Sequence, residues 1–483
     1  MDFYSQIKKN INKNKRKIIF IDYKKKWTWL EVSKKVDLFS KIIKPHLKNN
    51  QISVPIIISR RAELLISFIA CLKLGISFTP VLKINEDSVF ELATKINSNF
   101  YFDPIKKKII LNKKINNKYR KSIKIKNKIY ILFTSGSTGK PKGVICDNEN
   151  IINTLLWSKK YLKWNKKDII GNVTKFNFDI SLFDFFSSIY FNVPLSIIKN
   201  PHNLDDTIEN IKNNKISSIF STPSFFSQFV LNNSVIKIKN YSLKQIISGG
   251  DFFPMTHIKY WIDKNEKINI YNVWGPTETS IVNSMHLINK NDYKNINKFP
   301  SMPVGESTKR MEISIIKRKK IINEPNVNGF ICLSGKSICK GFIDENYRYK
   351  KMLIKIKNKI YFNTGDIGYF NHKKKLFILG RLDNDIKIQG YRINQKEIEQ
   401  IAETYSNIFL CATFKKKITS EFSELHMLVQ LKKTKKFDIF KFKNSLRQKL
   451  PFYKIPKKII LIKKIPLNSN GKLDRLDIDN KFN

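Results

Sequence analysis

Short apolar runs bounded by turn-forming or charged residues recur along the chain, at Lys17–Ile21, Val54–Ile58, Ile129–Phe133, Pro194–Ile198, Ser217–Phe220 and Lys244–Ser248. Runs of that length, rich in Ile, Val and Phe, predict strands buried on both faces. The stretches between them carry apolar residues at helical spacing. Buried strands separated by helices predict α/β layers with largely parallel sheets. The run ending at Ile219-Phe220 leads into Ser221-Thr222-Pro223-Ser224, which predicts a strand stop and the cap of a following helix. After about Ser301 the pattern changes to shorter strands, with turns expected at Asn328-Gly329, Ser334-Gly335 and Thr364-Gly365-Asp366. Near the C-terminus, helices are predicted over Gln395–Glu403 and Phe437–Lys449, the second stopped by Pro451. The Asn/Lys-rich patches 105–128 and 287–298 read as solvated loops or linkers. No internal repeat is visible.

At 483 residues the chain is long for one core, so at least two domains are expected. Its 42% hydrophobic fraction can fill packed cores and argues against global disorder. A net charge of +51 first suggests nucleic acid or an anionic membrane. The lysines, however, are spread from Lys8 to Lys481 and accompanied by excess Asn and Ile, as in Asn10 to Lys15. An AT-rich coding sequence yields that mixture, so no specific nucleic-acid binding is inferred. The odd set Cys71, Cys146, Cys332, Cys339 and Cys411 contains no C-x-x-C pair, which argues against a disulfide framework or zinc ribbon. The scattered histidines lack H-x-x-x-H spacing and predict no protein-ligated metal cluster. Met1 to Lys15 is polar and basic, unlike a signal peptide, and no apolar run is long enough to cross a membrane. A soluble, cytoplasmic protein without membrane insertion is expected.

The most informative stretch runs from Ile129 through Thr134-Ser135-Gly136-Ser137-Thr138-Gly139-Lys140-Pro141-Lys142 to Val144. A buried strand enters a loop dense in Gly, Ser and Thr, followed by two lysines. Glycines let backbone N–H groups turn toward one point, and hydroxyls and ammonium groups add donors for phosphate oxygens. It is not a Walker A loop: two residues separate Gly136 from Gly139, and Pro141 follows Lys140.

This loop resembles the phosphate loop of the adenylate-forming superfamily, which includes amino-acid adenylation domains of peptide synthetases, acyl- and aryl-CoA ligases and luciferases. Further stretches resemble that family's motifs in order: Gly75–Pro80, Asn272-Val-Trp-Gly-Pro-Thr-Glu278-Thr, Tyr361-Phe-Asn-Thr-Gly-Asp366, Gly380-Arg381-Leu-Asp383, Ile386 to Arg392 with Glu397 and Glu399, Leu450 to Pro456, and Asn470-Gly471-Lys472-Leu-Asp474-Arg475. Single tripeptides would be weak signals; the ordered set covers nearly the whole chain.

The resemblance implies an α/β fold. A large N-terminal domain, 1–382, has two helix-flanked sheets plus a distorted β-barrel; a small mobile C-terminal α+β lid, 383–483, carries the catalytic lysine. It implies ATP and Mg2+ as cofactors. Thr134, Ser135, Gly136, Ser137, Thr138, Gly139, Lys140 and Lys142 are expected to cradle pyrophosphate, with Thr277 also at the nucleotide. Glu278 would hold the metal, Asn272 would pair with adenine, and Trp274 would stack on it. Asp366 and Arg381 would hold the ribose. Lys472 would bridge the substrate carboxylate and the α-phosphate, where charge develops. Asp383 resembles the hinge and Gly390 the wall of a pantetheine tunnel. The stretch Phe176-Asn-Phe-Asp179-Ile-Ser181 resembles the amino-acid-activating branch, in which the aspartate grips the α-ammonium; a solvated or helix-capping acid is the alternative.

The side-chain pocket is expected from Ile180, Phe183, Phe220, Ile247, Gly249, Val273, Ile281 and Val282, an apolar set resembling pockets for a branched aliphatic amino acid. Ser221 to Phe225 is similar to D-alanine–carrier protein ligases, although those have cysteine at the position of Gly249, where this chain leaves room. Asn148 stands where many relatives have histidine. Because Asn483 follows Lys472 closely, a monomeric, freestanding domain acting on a separate carrier protein is expected. Other readings are a D-alanine–carrier protein ligase, an acyl-CoA ligase for a fatty or aryl acid, and a non-catalytic basic scaffold.

Overall fold

A computed structural model describes residues 3–111, 127–134, 142–289, 292, 302–307, 310–343, 346–381, 385–388, 391–418, 423–432, 437–468 and 471–482. The helix Asp179–Phe191 is buried along almost its whole length, with no face of solvated charges in its sequence. Its position explains why. Phe185 stacks on Phe20 of one sheet, while Phe186 meets Tyr130 and Phe78 of another. Phe68 of the helix Ala62–Lys73 lies parallel to Phe78, with ring centroids 4.1 Å apart. These two helices are the filling between the sheets, so neither has a face left for water.

The first sheet orders Glu306–Ser307, Ser284–Leu287, Asn269–Trp274, Gln245–Gly249, Ser218–Ser221, Ile170–Asn172, Leu195–Ile197, Ile18–Ile21 and Lys26–Thr28. Its interior pairings are parallel, and antiparallel strands close both edges. The second orders Phe342–Ile343, Lys142–Asp147, Lys128–Thr134, Ser77–Val81, Ser53–Ile57, Phe100–Asp103 and Lys108–Leu111. A third, wholly antiparallel sheet contains Met311–Lys317, Gly329–Gly335 and Lys359–Phe370. All six predicted apolar runs are strands, displaced by no more than a residue or so at either end.

Three local expectations change. Residues 105–128 contain the edge strand Lys108–Leu111; residues 112–126 and 293–298 lie outside the described residues. Thr222 does precede the helix Pro223–Leu231, but its hydroxyl bonds Ser224 Oγ at 2.9 Å instead of capping the backbone. Thr364-Gly365-Asp366 is not a turn between strands; it lies inside Lys359–Phe370.

The C-terminal part has its own small core. Ile393, Ile398 and Ala402 pack with Met427, Val429, Phe442 and Leu446. The helix Gln395–Glu403 spans the predicted range, begun by Asn394, whose Oδ1 accepts the Glu397 N–H. Its buried Glu399 receives both Nη atoms of Arg475, at 2.8 and 2.6 Å, and the Thr413 N–H. A fully paired carboxylate is tolerable in a core; a lone one is not. The predicted boundary between 382 and 383 falls outside the described residues.

Glu403, beside this pair, is pushed up to about 8 by burial, with Glu399 and Asp251 adding to the rise against Lys396. The folded chain thus keeps a proton that the unfolded chain releases above its ordinary 4.5. The stability this contributes is complete below 4.5 and is lost as pH rises through about 8. Glu403→Gln should therefore melt higher than the parent at about pH 9 and nearly equally at about pH 5, by calorimetry. Parallel melting curves at both would contradict this.

Candidate active site

The parallel strands of the first sheet end together, and ligands in open α/β sheets collect at such carboxyl ends. Thr222 follows Ser218–Ser221, Gly250-Asp251 follows Gln245–Gly249, and Asn272 and Trp274 close Asn269–Trp274. Across from them the second sheet contributes the hairpin arms Lys128–Thr134 and Lys142–Asp147, which pair Thr134 with Lys142. Ser135, Gly136, Ser137, Thr138, Gly139 and Lys140 lie outside the described residues. Thr134 Oγ1 is buried with no hydrogen-bond partner among the described residues. An orphaned hydroxyl at the root of that loop fits an external acceptor.

Lys142 is buried, forms an ion pair with Glu278 and stands 4.8 Å over the Phe342 ring. Glu278 comes from a single helical turn, Thr277–Thr279. Burial pushes its carboxyl up, but the charge and hydrogen bond of Lys142, helped by Arg381, hold it below its ordinary value. It is a half-buried, ionised carboxylate able to receive a cation. The turn is followed by Ser280 and Ile281 at φ of 63° and 79°. That region is strained for a β-branched residue. The strain is held by hydrogen bonds from Thr154 Oγ1 to the Ser280 carbonyl and from Ser280 Oγ to the Ser337 carbonyl.

Asp366 reaches the cleft through an irregularity in its strand. Phe330 pairs with Ile367, but Cys332 pairs with Asn363, so 364–366 bulge from the ladder. Gly365 takes φ of 78°, its N–H bonded to Asn363 Oδ1, and Thr364 Oγ1 donates to the Ile331 carbonyl. The bulge buries Asp366 where Trp274 Nε1 donates to Oδ2 at 3.0 Å and Arg381 Nη1 lies 3.3 Å from Oδ1. Burial still raises its carboxyl above the ordinary value, despite Arg381 and Trp274. Asn272 donates through Nδ2 to the Pro303 and Met302 carbonyls, at 3.0 and 3.4 Å. The Trp274 indole, expected as a stacking face, thus also ties the strand end to Asp366.

The expected pocket residues Phe183, Phe220, Ile247, Val273, Ile281 and Val282 fall in one buried cluster, together with Ile180. Phe183 meets Phe220 edge to face, centroids 5.4 Å apart. The room expected at Gly249 is already taken: a β-carbon there would lie 2.5 Å from Val273 Cγ2. Asp179 opens its helix and is 5% exposed, its Oδ2 accepting from Thr277 Oγ1 at 2.6 Å. It is neither solvated nor the N-cap, which is Phe178. Burial raises its carboxyl; Thr277 and the charge of Lys472 oppose the rise.

Lys472 arrives from the C-terminal part. Gly471, at φ of 75°, fits against the large part so closely that a β-carbon would lie 2.6 Å from Ser224 Oγ. Lys472 Nζ then stands 5.5 Å from the Phe178 ring centre and 3.7 Å from where a β-carbon of Gly250 would be. The ammonium lies close enough to Asp179 for its charge to act on that carboxylate. Asp383 and Gly390 lie outside the described residues. Sequence reading missed Thr277 as partner of Asp179, Phe178 beneath the ammonium, and Asp251. Only Asp251 carried a hint, following two glycines at a strand end.

The chain belongs to the AMP-binding enzyme family, which matches residues 85–343, just over half of its length. It is an adenylate-forming ligase. A D-alanine–D-alanyl carrier protein ligase of Bacillus licheniformis is 30% identical over 357 residues, covering 72% of this chain and 69% of that protein. Bacitracin synthase 1 of Bacillus licheniformis is 26% identical over 351 residues, covering 72% of this chain but 6% of that protein. The fold matches Klebsiella oxytoca NpsA in complex with 3-hydroxyanthranilyl-AMSN at a TM-score of 0.85 and 18% identity, over 99% of both chains.

Asp366→Ala removes a buried acceptor held by two donors. AMP binding measured by calorimetry should weaken by about tenfold to a hundredfold. Unchanged affinity would take Asp366 out of the nucleotide site.

Proposed function

We propose that this ligase activates an amino acid as its aminoacyl adenylate and then passes the aminoacyl group to the phosphopantetheine thiol of a separate carrier protein. The observation that carries the amino-acid part is Asp179. Burial raises this carboxyl despite Thr277 and the charge of Lys472, so its charge is not fully compensated by the protein. An α-ammonium supplies the remaining counter-charge; a fatty or aryl acid does not.

In the first step a substrate carboxylate oxygen attacks the α-phosphorus of ATP. The new bond is C–O–P, the bond to the bridging oxygen breaks, and pyrophosphate leaves. Such a step needs positioning and charge neutralisation more than a protein nucleophile. Thr134, the loop 135–141 and Lys142 hold the departing pyrophosphate. Asp366 and Arg381 hold the ribose, while Asn272 Oδ1 accepts from the adenine amino group beside Trp274. Glu278 would hold Mg2+, which adds neutralising charge when bound. With Glu278 so engaged, Lys142 would be free to meet a phosphate oxygen. Lys472 meets the charge developing between the two reactants. The thiol then attacks the acyl carbon and AMP leaves.

The favoured side chain is small and aliphatic. The lining is apolar, and Val273 fills the space beside Gly249. The narrowing that cysteine gives D-alanine–carrier protein ligases would thus come from the neighbouring strand, and the 30% identical relative bears that name. D-alanine is the first candidate; a branched aliphatic amino acid is the second, supported by the absence of a second charge in the lining.

Pyrophosphate exchange across D- and L-amino acids and amine-free acids tests this. Exchange is expected with D-alanine or another small aliphatic amino acid; exchange driven only by amine-free acids would remove Asp179 from its role. Lys472→Ala should lower exchange on the order of 10²–10³-fold while sparing transfer from supplied aminoacyl adenylate. Equal loss in both half-reactions would refute the assignment. Val273→Ala should move preference toward valine or leucine by about tenfold or more. No change in preference would place the side chain elsewhere.

A further inference from the structure

Among the described residues, one ion pair fastens the C-terminal part to the surface on which it rests. Lys396, on the helix Gln395–Glu403, points out of the small core and meets Asp251 of the large part, Nζ to Oδ1 2.5 Å. Their side chains are 16% and 26% exposed, so the pair is largely screened from water. His257 stacks on Phe409, centroids 5.8 Å apart, and Gly471 rests on Ser224 and Thr222.

The pair is connected to the reacting group in two ways. Asp251 directly follows Gly250, against which the Lys472 side chain lies, and Asp251 feels the charge of Lys472 as well as that of Lys396. On the other side, Lys396 shares a helix with Glu399, and Glu399 grips Arg475, three residues beyond Lys472. The chain of contacts runs from Asp251 through Lys396 and its helix to Arg475 and the lysine turn. If the C-terminal part turns away, Glu399 remains engaged by Arg475, and Lys396 exchanges Asp251 for Glu403 or water.

We propose that the Lys396–Asp251 ion pair is an orientation-specific latch: it holds the C-terminal part where Lys472 enters the cleft, and its rupture is required before the part can turn for thiol transfer. Lys396 is thus a positioning residue, acting through Lys472 and touching no reactant. The proposal rests on the adenylation reading above. An ion pair suits the task because it is strong only when both partners meet and each is readily hydrated when they separate.

The test uses the full chain carrying spin labels at the exposed positions Lys237 and Lys481, one on each part, and measures their separation by pulsed electron resonance. Lys396→Gln should broaden the distance distribution, lower pyrophosphate exchange about tenfold and leave transfer from supplied aminoacyl adenylate undiminished. Lys396→Arg, which keeps the charge, should restore the narrow distribution. Asp251→Asn attacks the pair from the other side and should reproduce the shift even if one variant folds poorly. An unchanged distribution in Lys396→Gln and Asp251→Asn would overturn the latch. Parent protein without exchange on any amino acid would instead sink the adenylation reading, and the distance measurement would still decide the latch.

Discussion

Carboxylates removed from water dominate the energetics of this cleft. Asp179, Glu278 and Asp366 are each enclosed by the ends of strands and helices, where an unpaired charge would cost several kcal/mol. Each is held by a donor from a distant stretch: Thr277 for Asp179, Lys142 for Glu278, Trp274 and Arg381 for Asp366. The consequence is a site assembled by the fold as a whole. The strained turn after Thr279, the bulge at 364–366 and the tight seat of Gly471 are understandable as what is needed to bring these partners within bonding distance.

The layers were legible because buried parallel strands leave a plain trace. A strand covered on both faces is largely apolar, as Ile18–Ile21 is throughout and as residues 54–57 and 246–247 are within Ser53–Ile57 and Gln245–Gly249. The helix Asp179–Phe191, rich in Phe and Ile and with buried Asp and Ser residues among them, is explained by the sheets on either side of it. The bulge was not legible. A glycine at positive φ with flanking Asn, Thr and Asp signals a reversal of the chain, and only the partner strand Gly329–Gly335, continuing past it, turns that reversal into a bulge. The edge strand Lys108–Leu111 was hidden for another reason: edge strands carry lysine as protection against further pairing, which resembles a loop in sequence.

The motifs singled out residues that the fold gathers along one cleft, but not the partners those residues have there. Asp179 could be singled out from Phe176 to Ser181, yet Thr277 as its donor depends on how two remote elements meet. The pocket shows the same limit. Gly249 in isolation reads as added space, and only its pairing with Val273 across adjacent strands shows that space to be occupied. The overall charge of +51 had little bearing on any of this. The cations that matter at the cleft, Lys142, Arg381 and Lys472, are distinguished by their surroundings, not by their number.

The bulge carrying Asp366 has a further meaning for how such an enzyme can change. Removing one residue from 364–366 would let the ladder between Lys359–Phe370 and Gly329–Gly335 run more regularly, while turning the acid away from Trp274. A sheet improved in that way would lose the buried acid that Trp274 and Arg381 hold at the cleft. Selection for folding alone would therefore favour a regular ladder over this bulge.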